Sequence, residues 1–438
     1  MANNNQGFLE KTFKLSENKT NVRTELVAGL TTFMTMAYVL VVVPDILSAA
    51  GIPVFAAVAA VCISAFVACL ANGFYSNYPF ALAPGMGLVA FFSFTVVGQM
   101  GLTWQAALGA VFISGIIFII LSVTNVREAI LDAIPMSLKQ AITVGIGMFL
   151  AFIGFKNAGF IAADPATFVR LGDLTQTGPI LAGIGLLLTI ALSVLQIRGA
   201  FLIAIAATTI IGIPMGITQA PQGFLSIEPL RALEQTAFQL DIGAALQGGF
   251  IALIFSFTFA NMFDTMGTLI GVATRANMLD KDGRLPRAGR PLLVDAGATS
   301  FGALLGTSTV TTYLESAAGV AAGGRTGLTA VVTGVLFGVA LFLAPILTIV
   351  PSQATAAILI IVGVMMAEAA LKINFKDFTE AVPAFLTMIM MPLTFNIANG
   401  FAFGFISYAF IKLVAGKHKE VSPIMYILAI LFIISFML

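Results

Sequence analysis

The sequence predicts an all-α polytopic membrane protein with fourteen transmembrane segments arranged as a 7+7 inverted repeat. Three observations lead to this fold class: a composition that avoids charge, a one-sided distribution of basic residues, and weak similarity between the two halves of the chain. Short strands and half-helices are expected within the third and tenth segments, because glycine and proline interrupt the apolar sequence there.

Composition sets the broad class. Only 9% of the residues are charged and 59% are hydrophobic, and the mean hydropathy is +1.03. Soluble domains carry roughly 25% charged residues and about 45–50% apolar ones.

Cys62 and Cys69 share one apolar segment and the single histidine, His418, lies in a charged stretch, so we expect neither a disulfide framework nor a metal site. The first 25 residues are polar, which argues against a cleavable signal peptide.

Apolar segments of spanning length recur along the whole chain. A helical span needs about 20 apolar residues, and the third and tenth segments are too short to cross the bilayer alone. A final apolar run, 422–438, is either an additional span or an interfacial helix. The fourteen predicted segments are 26–48, 55–75, 82–97, 103–123, 138–155, 178–197, 200–217, 247–274, 291–305, 314–323, 328–348, 354–370, 380–397 and 399–415.

The basic residues indicate the orientation. With a cytoplasmic N-terminus, all but three of the 21 lysines and arginines fall on the cytoplasmic side of the predicted segments. The exceptions are Lys156, Arg170 and Arg231. Such asymmetry is typical of inner-membrane proteins, so we expect a multi-pass plasma-membrane protein with the lipid bilayer as its surroundings.

The two halves resemble each other at three places in the same order. An odd number of spans per half requires that the halves enter the membrane in opposite senses, as in many secondary transporters. The predicted organisation is a cytoplasmic segment 1–25, a first repeat 26–217, an extracytoplasmic loop 218–246, a second repeat 247–415 and a basic linker with an apolar helix at 416–438. The matching stretches are 33–37 with 263–267, 101–103 with 327–329, and 134–147 with 350–363.

The stretch "TVTTYLESAAGVAAGG" from Thr309 lies opposite "FALAPGMG" from Phe80 in the repeat. Both read as a short extended piece that leads into a half-helix. Non-helical backbone persists at membrane depth only where protein or a water-filled cavity satisfies it. Paired broken segments therefore predict a central substrate site, to which the half-helix N-termini would add free N–H groups and positive dipole ends.

Two acids lie within predicted spans without a basic neighbour in sequence, Asp264 and Glu315. An ionised acid at the bilayer centre costs roughly 2.5–3.5 kcal/mol even on a lenient scale. An ionised carboxylate accepts N–H donors and a protonated one both donates and accepts. The pair therefore suits a planar ligand with N–H and C=O edges, and either acid suits proton transfer.

Other polar groups have plainer interpretations. The acids Asp45, Glu25, Asp295 and Glu368 fall near span ends, where water is expected to reach them and a structural role is favoured. The hydroxyls of Thr35, Thr268 and Ser316 lie near the predicted site and serve either helix packing or ligand binding. The glycines form no nucleotide-binding loop, so ATP-driven transport is not supported.

Several motifs together carry a family resemblance: "TELVAGLTTFMTMAYVL", "LAPGMGLVAFFSF", "FDTMGTLIGVA", "GTSTVTTYLESAAGVAAGGRTGLTAV" and "VPAFLTMIMMPLTF". From Thr24 to about Lys419 the chain resembles the AzgA-like purine permeases of the nucleobase–cation symporter 2, or nucleobase–ascorbate transporter, group. The resemblance implies a core domain and a gate domain, a homodimer, and proton-coupled uptake of a purine without any other cofactor. The substrate-binding residues that we expect are Asp264, Glu315, Thr268, Ser316, Leu314, Val89 and Thr35.

One position departs from the family pattern. Purine permeases of this type usually read G-M-G-x-N-A in the third segment, where the asparagine contacts the base. Here the sequence is "GMGLVA", with Val89 in that place. Only the backbone N–H of Val89 is left to contact a ligand, so the preferred purine stays open.

The sequence thus predicts a proton symporter for hypoxanthine or guanine first and adenine next, with Asp264 and Glu315 binding the base and coupling the proton. Segments 5–7 and 12–14 would form the gate. An anion exchanger or sulfate-type transporter of the same architecture and a passive channel are the alternatives. An enzyme is not expected, because no nucleophile–base pair appears, and nucleic acid is not an expected partner.

Overall fold

The computed structural model describes residues 7–124, 133–221, 223–246, 250–276, 278–280 and 285–437. These residues are mostly helical, and π-helical turns at Asn72–Ser76 and Phe91–Gln99 extend two of the helices. The helices are α1 (Phe8–Phe13), α2 (Val22–Met36), α3 (Val39–Ser48), α4 (Val54–Ala71), α5 (Met86–Ala90), α6 (Trp104–Val123), α7 (Met136–Asn157), α8 (Thr177–Val194), α9 (Ala200–Gly212), α10 (Glu228–Ala232), α11 (Ile242–Ala245), α12 (Phe250–Arg275), α13 (Gly289–Leu305), α14 (Ser316–Ala321), α15 (Gly327–Ala340), α16 (Ala344–Leu347), α17 (Ser352–Ala367), α18 (Phe378–Leu393), α19 (Ile397–Val414) and α20 (Pro423–Met437).

Every predicted segment overlaps at least one of these helices. The start of the eighth segment (247–249), the first six residues of the N-terminal segment and residue 438 of the final run lie outside the described residues. Within the described part, nine helices are long and apolar enough to cross a membrane. The predicted loop 218–246 contains α10 and α11, and the predicted N-terminal segment contains α1, whose Phe13 is buried against the rest of the protein.

The helices pack as two groups. In the smaller group, α7 packs against α17 and α18, α8 packs against α9 and α17, and α19 packs against α18. In the larger group, α15 packs against α2 and α4, and α6 packs against α12 and α13. Packing is denser within each group than between them. The smaller group comprises the helices of predicted segments 5–7 and 12–14.

Two short antiparallel sheets interrupt the helical architecture. Strands β1 (Leu82–Pro84) and β4 (Val310–Thr312) pair with each other, and they confirm the extended pieces predicted in the third and tenth segments. The second sheet is a hairpin of β2 (Ile161–Asp164) and β3 (Phe168–Leu171). This hairpin was not predicted, because β3 is exposed and shows no alternation of apolar and polar residues.

The prediction that water reaches Glu25 is wrong. Its side chain is fully buried in the first turn of α2. It accepts hydrogen bonds from the backbone N–H of Arg325 at 2.8 Å, the N–H of Thr326 at 3.3 Å, and both the N–H at 3.2 Å and the hydroxyl at 2.6 Å of Thr329. The first N–H groups of a helix lack intrahelical partners, so this carboxylate completes the start of α15.

Two further acids that were predicted near span ends, Asp45 and Glu368, differ in their exposure. Asp45 in α3 is half-buried and accepts a hydrogen bond of 2.8 Å from the hydroxyl of Thr355, so it links α3 to α17 of the smaller group. Glu368 is exposed, which confirms its water-accessible position.

Replacement of Glu25 by glutamine tests the capping role. The amide nitrogen cannot accept a hydrogen bond, so buried donors of the 325–329 turn lose their partner at a cost of about 1–3 kcal/mol. We expect a lower melting temperature of the detergent-purified protein, measured by intrinsic fluorescence. Glu368→Gln, which changes the same group at an exposed site, should melt as the parent does. Equal melting of both variants would contradict the role assigned to Glu25.

Candidate functional site

The site is organised by the crossing of β1 and β4. In this sheet Leu82 is paired with Thr312 and Pro84 with Val310, and the next N–H, that of Gly85, donates to the carbonyl of Thr309 at 2.9 Å. The strands are fully buried, so the pairing satisfies backbone groups that lipid would leave unpaired. Each strand leads directly into a short helix, α5 or α14.

Asp264 reaches this crossing from the middle of α12. Its carboxylate lies beside Thr311 in β4, whose hydroxyl is 2.9 Å from that of Thr265. Gly85 makes room for it: a Cβ at Gly85 would lie 3.5 Å from Oδ2 of Asp264 and only 2.6 Å from Cγ2 of Thr311. As a whole residue, Asp264 is half-buried.

Glu315 immediately precedes α14 and is also half-buried. Its carboxylate accepts a hydrogen bond from the hydroxyl of Tyr38, and it lies close enough to Asp264 for the two charges to interact. Neither acid takes part in any ion pair among the described residues. The structure therefore brings the two predicted carboxylates together without a basic partner.

Two tyrosines complete the site, and sequence reasoning missed both. Tyr38 holds Glu315, and Tyr313 donates its hydroxyl to the carbonyl of Pro84 while its ring lies near both acids. Both side chains are almost fully buried. Tyr38 lies in a predicted span and Tyr313 lies in the extended piece before the tenth segment. A buried phenol needs a hydrogen-bond partner, which is the signal that these two residues offered.

The predicted hydroxyl residues are engaged with backbone groups. Thr268 donates to the carbonyl of Asp264 at 2.8 Å, and Thr35 donates to the carbonyl of Thr32 at 2.8 Å with a longer contact of 3.5 Å to that of Glu315. Ser316 accepts the N–H of Ala81 at 3.0 Å. These bonds fix the local backbone around the two acids.

Leu314 and Val89 occupy different surroundings. Leu314 is half-buried beside α12, where its Cδ1 lies 3.3 Å from the Cβ position of Gly271. Val89 is fully buried, and its N–H donates to the carbonyl of Gly85 at 2.9 Å. A ligand contact by this N–H requires that bond to break.

The helix end at α14 offers fewer free donors than expected. The N–H groups of Ser316, Ala317 and Ala318 donate to the carbonyls of Tyr313, Leu314 and Glu315 at 3.2, 3.0 and 2.9 Å. The expectation of free N–H groups at this end is therefore wrong, because a tight turn before the helix already uses them.

Asp295 is the second correction among the acids. It is fully buried, because its side chain faces the interior, where α13 meets α12 and β4. Its carboxylate accepts the hydroxyl of Thr265 at 2.8 Å and the N–H of Thr312 at 3.1 Å. Asp295 thereby ties β4 to α12 and positions the strand next to Asp264.

The smaller helix group covers the site through α7. A Cβ at Gly87 in α5 would lie 2.5 Å from Cγ2 of Ile146, and one at Gly267 in α12 would lie 4.0 Å from Oγ1 of Thr143. Both partners belong to α7. The two acids therefore lie close to the boundary between the groups, where relative motion of the groups would change access to them.

The described residues contain no cluster of three or more histidine, cysteine, aspartate or glutamate side chains that could hold a metal ion. Cys62 and Cys69 are free and buried. The chemistry that the site offers is hydrogen bonding and proton exchange by two carboxyls and two phenols.

The close approach at Gly85 can be tested by compensation. Gly85→Ala places a methyl group against Cγ2 of Thr311, and overpacking of this kind costs about 1–3 kcal/mol. We expect a lower melting temperature, which Thr311→Ser should largely restore in the double variant because serine keeps the hydroxyl and lacks the methyl. Failure of the second change to restore stability would contradict the assigned contact.

The sequence matches a known protein family over most of its length. A model described as "Permease family" (Xan_ur_permease) matches residues 23–403. The adenine permease AdeP of Escherichia coli is 43% identical over 98% of this chain and 96% of its own length. The guanine/hypoxanthine permease PbuO of Bacillus subtilis is 44% identical over 97% of this chain and 99% of its own.

Solved structures show the same fold at low identity. The transmembrane domain of the cyanobacterial bicarbonate transporter BicA matches with a TM-score of 0.64 at 16% identity, covering 86% of this chain and 97% of that one. The murine anion transporter Slc26a9 in its inward-facing state gives a TM-score of 0.66 at 11% identity, over 95% of this chain and 73% of that one. The matches in sequence and in structure confirm what the motifs indicated: the chain is a multi-pass membrane transporter that belongs to the Permease family, within its nucleobase–ascorbate transporter group.

Proposed function

We propose that this protein takes up a purine nucleobase together with a proton, with hypoxanthine or guanine preferred and adenine next. The observation that carries the proposal is the pair Asp264 and Glu315, which share one half-buried site without a basic partner in the described residues. Relatives of similar length are named as adenine and guanine/hypoxanthine permeases, which supports a purine.

The two carboxyls suit the N–H edge of a purine. Ionised carboxylates accept N–H donors, and hydrogen bonds to charged groups are worth about 1.5–3 kcal/mol each. The hydroxyl of Tyr38 fixes one oxygen of Glu315, and Asp264 is packed beside Gly85 and Thr311. Both acceptors are thus held in place before the base arrives, which reduces the ordering cost of binding.

Proton coupling follows from the same pair in this proposal. Two acids that share a site repel each other when both are ionised. A proton taken up with the base would remove that repulsion and supply a donor for a carbonyl of the ligand. We place this exchange on Asp264 and Glu315, because Asp295 is fully bonded to its structural partners.

The 7+7 inverted repeat is supported by matched packing between the halves. Helix α15 packs on α2 as α6 packs on α12, and α15 packs on α4 as α6 packs on α13. In the smaller group, α8 packs on α17 as α18 packs on α7, and α8 packs on α9 as α18 packs on α19. In each of these comparisons, the second pair consists of the helices that occupy the same positions in the other repeat.

Transport would then proceed by alternating access, with the larger helix group as the core and the smaller one as the gate. The acids lie close to the boundary between these groups, which is where such movement exposes a site first to one side and then to the other. We place the protein in the plasma membrane with a cytoplasmic N-terminus, on the strength of the basic-residue asymmetry, and we expect it to form a homodimer.

The carboxyl role is tested by equilibrium binding of hypoxanthine, guanine, adenine, xanthine and uracil to the purified protein. Glu315→Gln keeps the shape of the side chain and removes its charge, so we expect purine affinity to fall by about tenfold or more. Asp264→Asn should behave similarly, and Glu368→Gln should bind as the parent does. Unchanged purine affinity in Glu315→Gln would contradict the assigned role.

The same binding experiment tests the substrate class. If the folded parent protein binds no base but transports bicarbonate or sulfate, the purine proposal is overturned in favour of an anion transporter. Steady single-channel conductance in planar bilayers would instead establish a channel.

Tyr38→Phe tests the orientation of Glu315. Loss of one hydrogen bond to a carboxylate should raise the KM for purine uptake into proteoliposomes by about tenfold, while the protein stays folded because the ring is kept. Tyr75 is half exposed and serves as the control position. A KM for Tyr38→Phe equal to that of Tyr75→Phe would show that the phenol does not position Glu315 for binding.

A further inference from the structure

A cavity with a volume of about 490 Å³ lies apart from the two acids. This volume falls within the range of about 300–1,000 Å³ that is typical of small-molecule sites. Its walls come from the end of the π-helical stretch after α5, the end of α7, the hairpin of β2 and β3, and the turn between α18 and α19. The lining residues are Phe94, Gly98, Gln99, Phe152, Lys156, Ile161, Ala162, Ala163, Phe168, Val169 and Phe395.

Aromatic rings form one side of this cavity. The ring of Phe395 meets those of Phe94, Phe149 and Phe152 edge-to-face, with centroids 6.1, 5.3 and 5.8 Å apart. The ammonium of Lys156 lies 5.7 Å from the ring centroid of Phe94 and 5.3 Å from that of Phe395. None of the ion pairs between described residues includes Lys156, so its charge is available to a ligand.

The cavity lies on the seam between the helix groups. Phe395 has a left-handed backbone with φ of 53° in the turn before α19, and its carbonyl accepts the hydroxyl of Thr95 from the larger group. A left-handed conformation is uncommon for a bulky residue and is held here by its surroundings. The turn that carries the ring is therefore bonded across the boundary that would open during transport.

We propose that this cavity is a second, entry-side binding site for a planar heteroaromatic base. The inference rests on the proposed function and extends it. Phenyl rings bind a flat π-system through stacked or edge-to-face contacts, and the ammonium of Lys156 donates to a ring carbonyl. The chemistry is complementary to the first site: Lys156 selects the C=O edge of the base, whereas Asp264 and Glu315 select the N–H edge.

The side of the membrane follows from the charge pattern. Lys156 is one of only three basic residues that the positive-inside assignment leaves outside. Uptake would therefore bring a base to this cavity first. A base bound in this cavity lies at the boundary between the two helix groups, through which it would pass to the two acids.

The experiment uses Ala163→Cys, which places a thiol in the exposed wall of the cavity and leaves Lys156 and the rings intact. The native thiols Cys62 and Cys69 are fully buried and give little background. A membrane-impermeant thiosulfonate is applied to right-side-out vesicles, and its labelling rate is measured with and without hypoxanthine. A saturated cyclic lactam of similar size serves as the non-aromatic control.

We expect hypoxanthine, and not the lactam, to slow labelling of Ala163→Cys. The protection should persist when Glu315→Gln is added, and the hypoxanthine concentration needed should rise about tenfold when Lys156→Gln is added. Protection that disappears with Glu315→Gln would mean that only the first site binds the base, and would overturn the proposal. Absence of any protection in a protein whose first site binds purines would overturn it equally.

Failure of the purine function itself gives a different result. In that case the parent protein binds no base at equilibrium at either site, whereas failure of the second site alone leaves tight binding that depends on Glu315. Uptake kinetics provide a second measurement. Lys156→Gln should raise the KM for uptake and leave kcat unchanged. An unchanged KM would contradict an entry-side site.

Discussion

The structure depends on the pairing of β1 with β4, because this pairing is what allows extended backbone to exist among membrane helices. Unpaired N–H and C=O groups cost several kcal/mol in lipid, and here two buried three-residue strands satisfy each other. Each strand comes from a different half of the chain. Neither half can therefore complete the site alone: both acids come from the second half, whereas Tyr38 and Gly85 beside them come from the first.

Buried acids have two separate roles around this pairing. Glu25 and Asp295 are saturated by hydrogen bonds from backbone and hydroxyl donors, and they fix the start of α15 and the position of β4. Asp264 and Glu315 are half-buried and receive fewer donors, with the Tyr38 hydroxyl bonded to Glu315, which leaves further acceptor capacity. The number of donors that the protein itself provides separates a structural carboxylate from one that is available to a ligand.

The sequence predicted the helical segments, the two broken segments and the two acids of the site, because each leaves a local signature in hydropathy, glycine content or charge. It could not predict that Asp295 is buried, since its partners Thr265 and Thr312 come from other elements. Nor could it predict that Tyr38 bonds Glu315, since these residues lie far apart in the chain. The exposed hairpin of β2 and β3 carries no alternating pattern. The cavity around Lys156 and Phe395 is likewise formed by residues from four separate elements.

The central claim is that Asp264 and Glu315 together bind the N–H edge of a purine. The most direct measurement is a cryo-electron microscopy structure of the protein with bound hypoxanthine. The account predicts density for a planar ring beside the crossing of β1 and β4, with ring nitrogens at hydrogen-bonding distance from both carboxylates. A base that occupies a well-defined position without contact to either carboxylate would contradict the account.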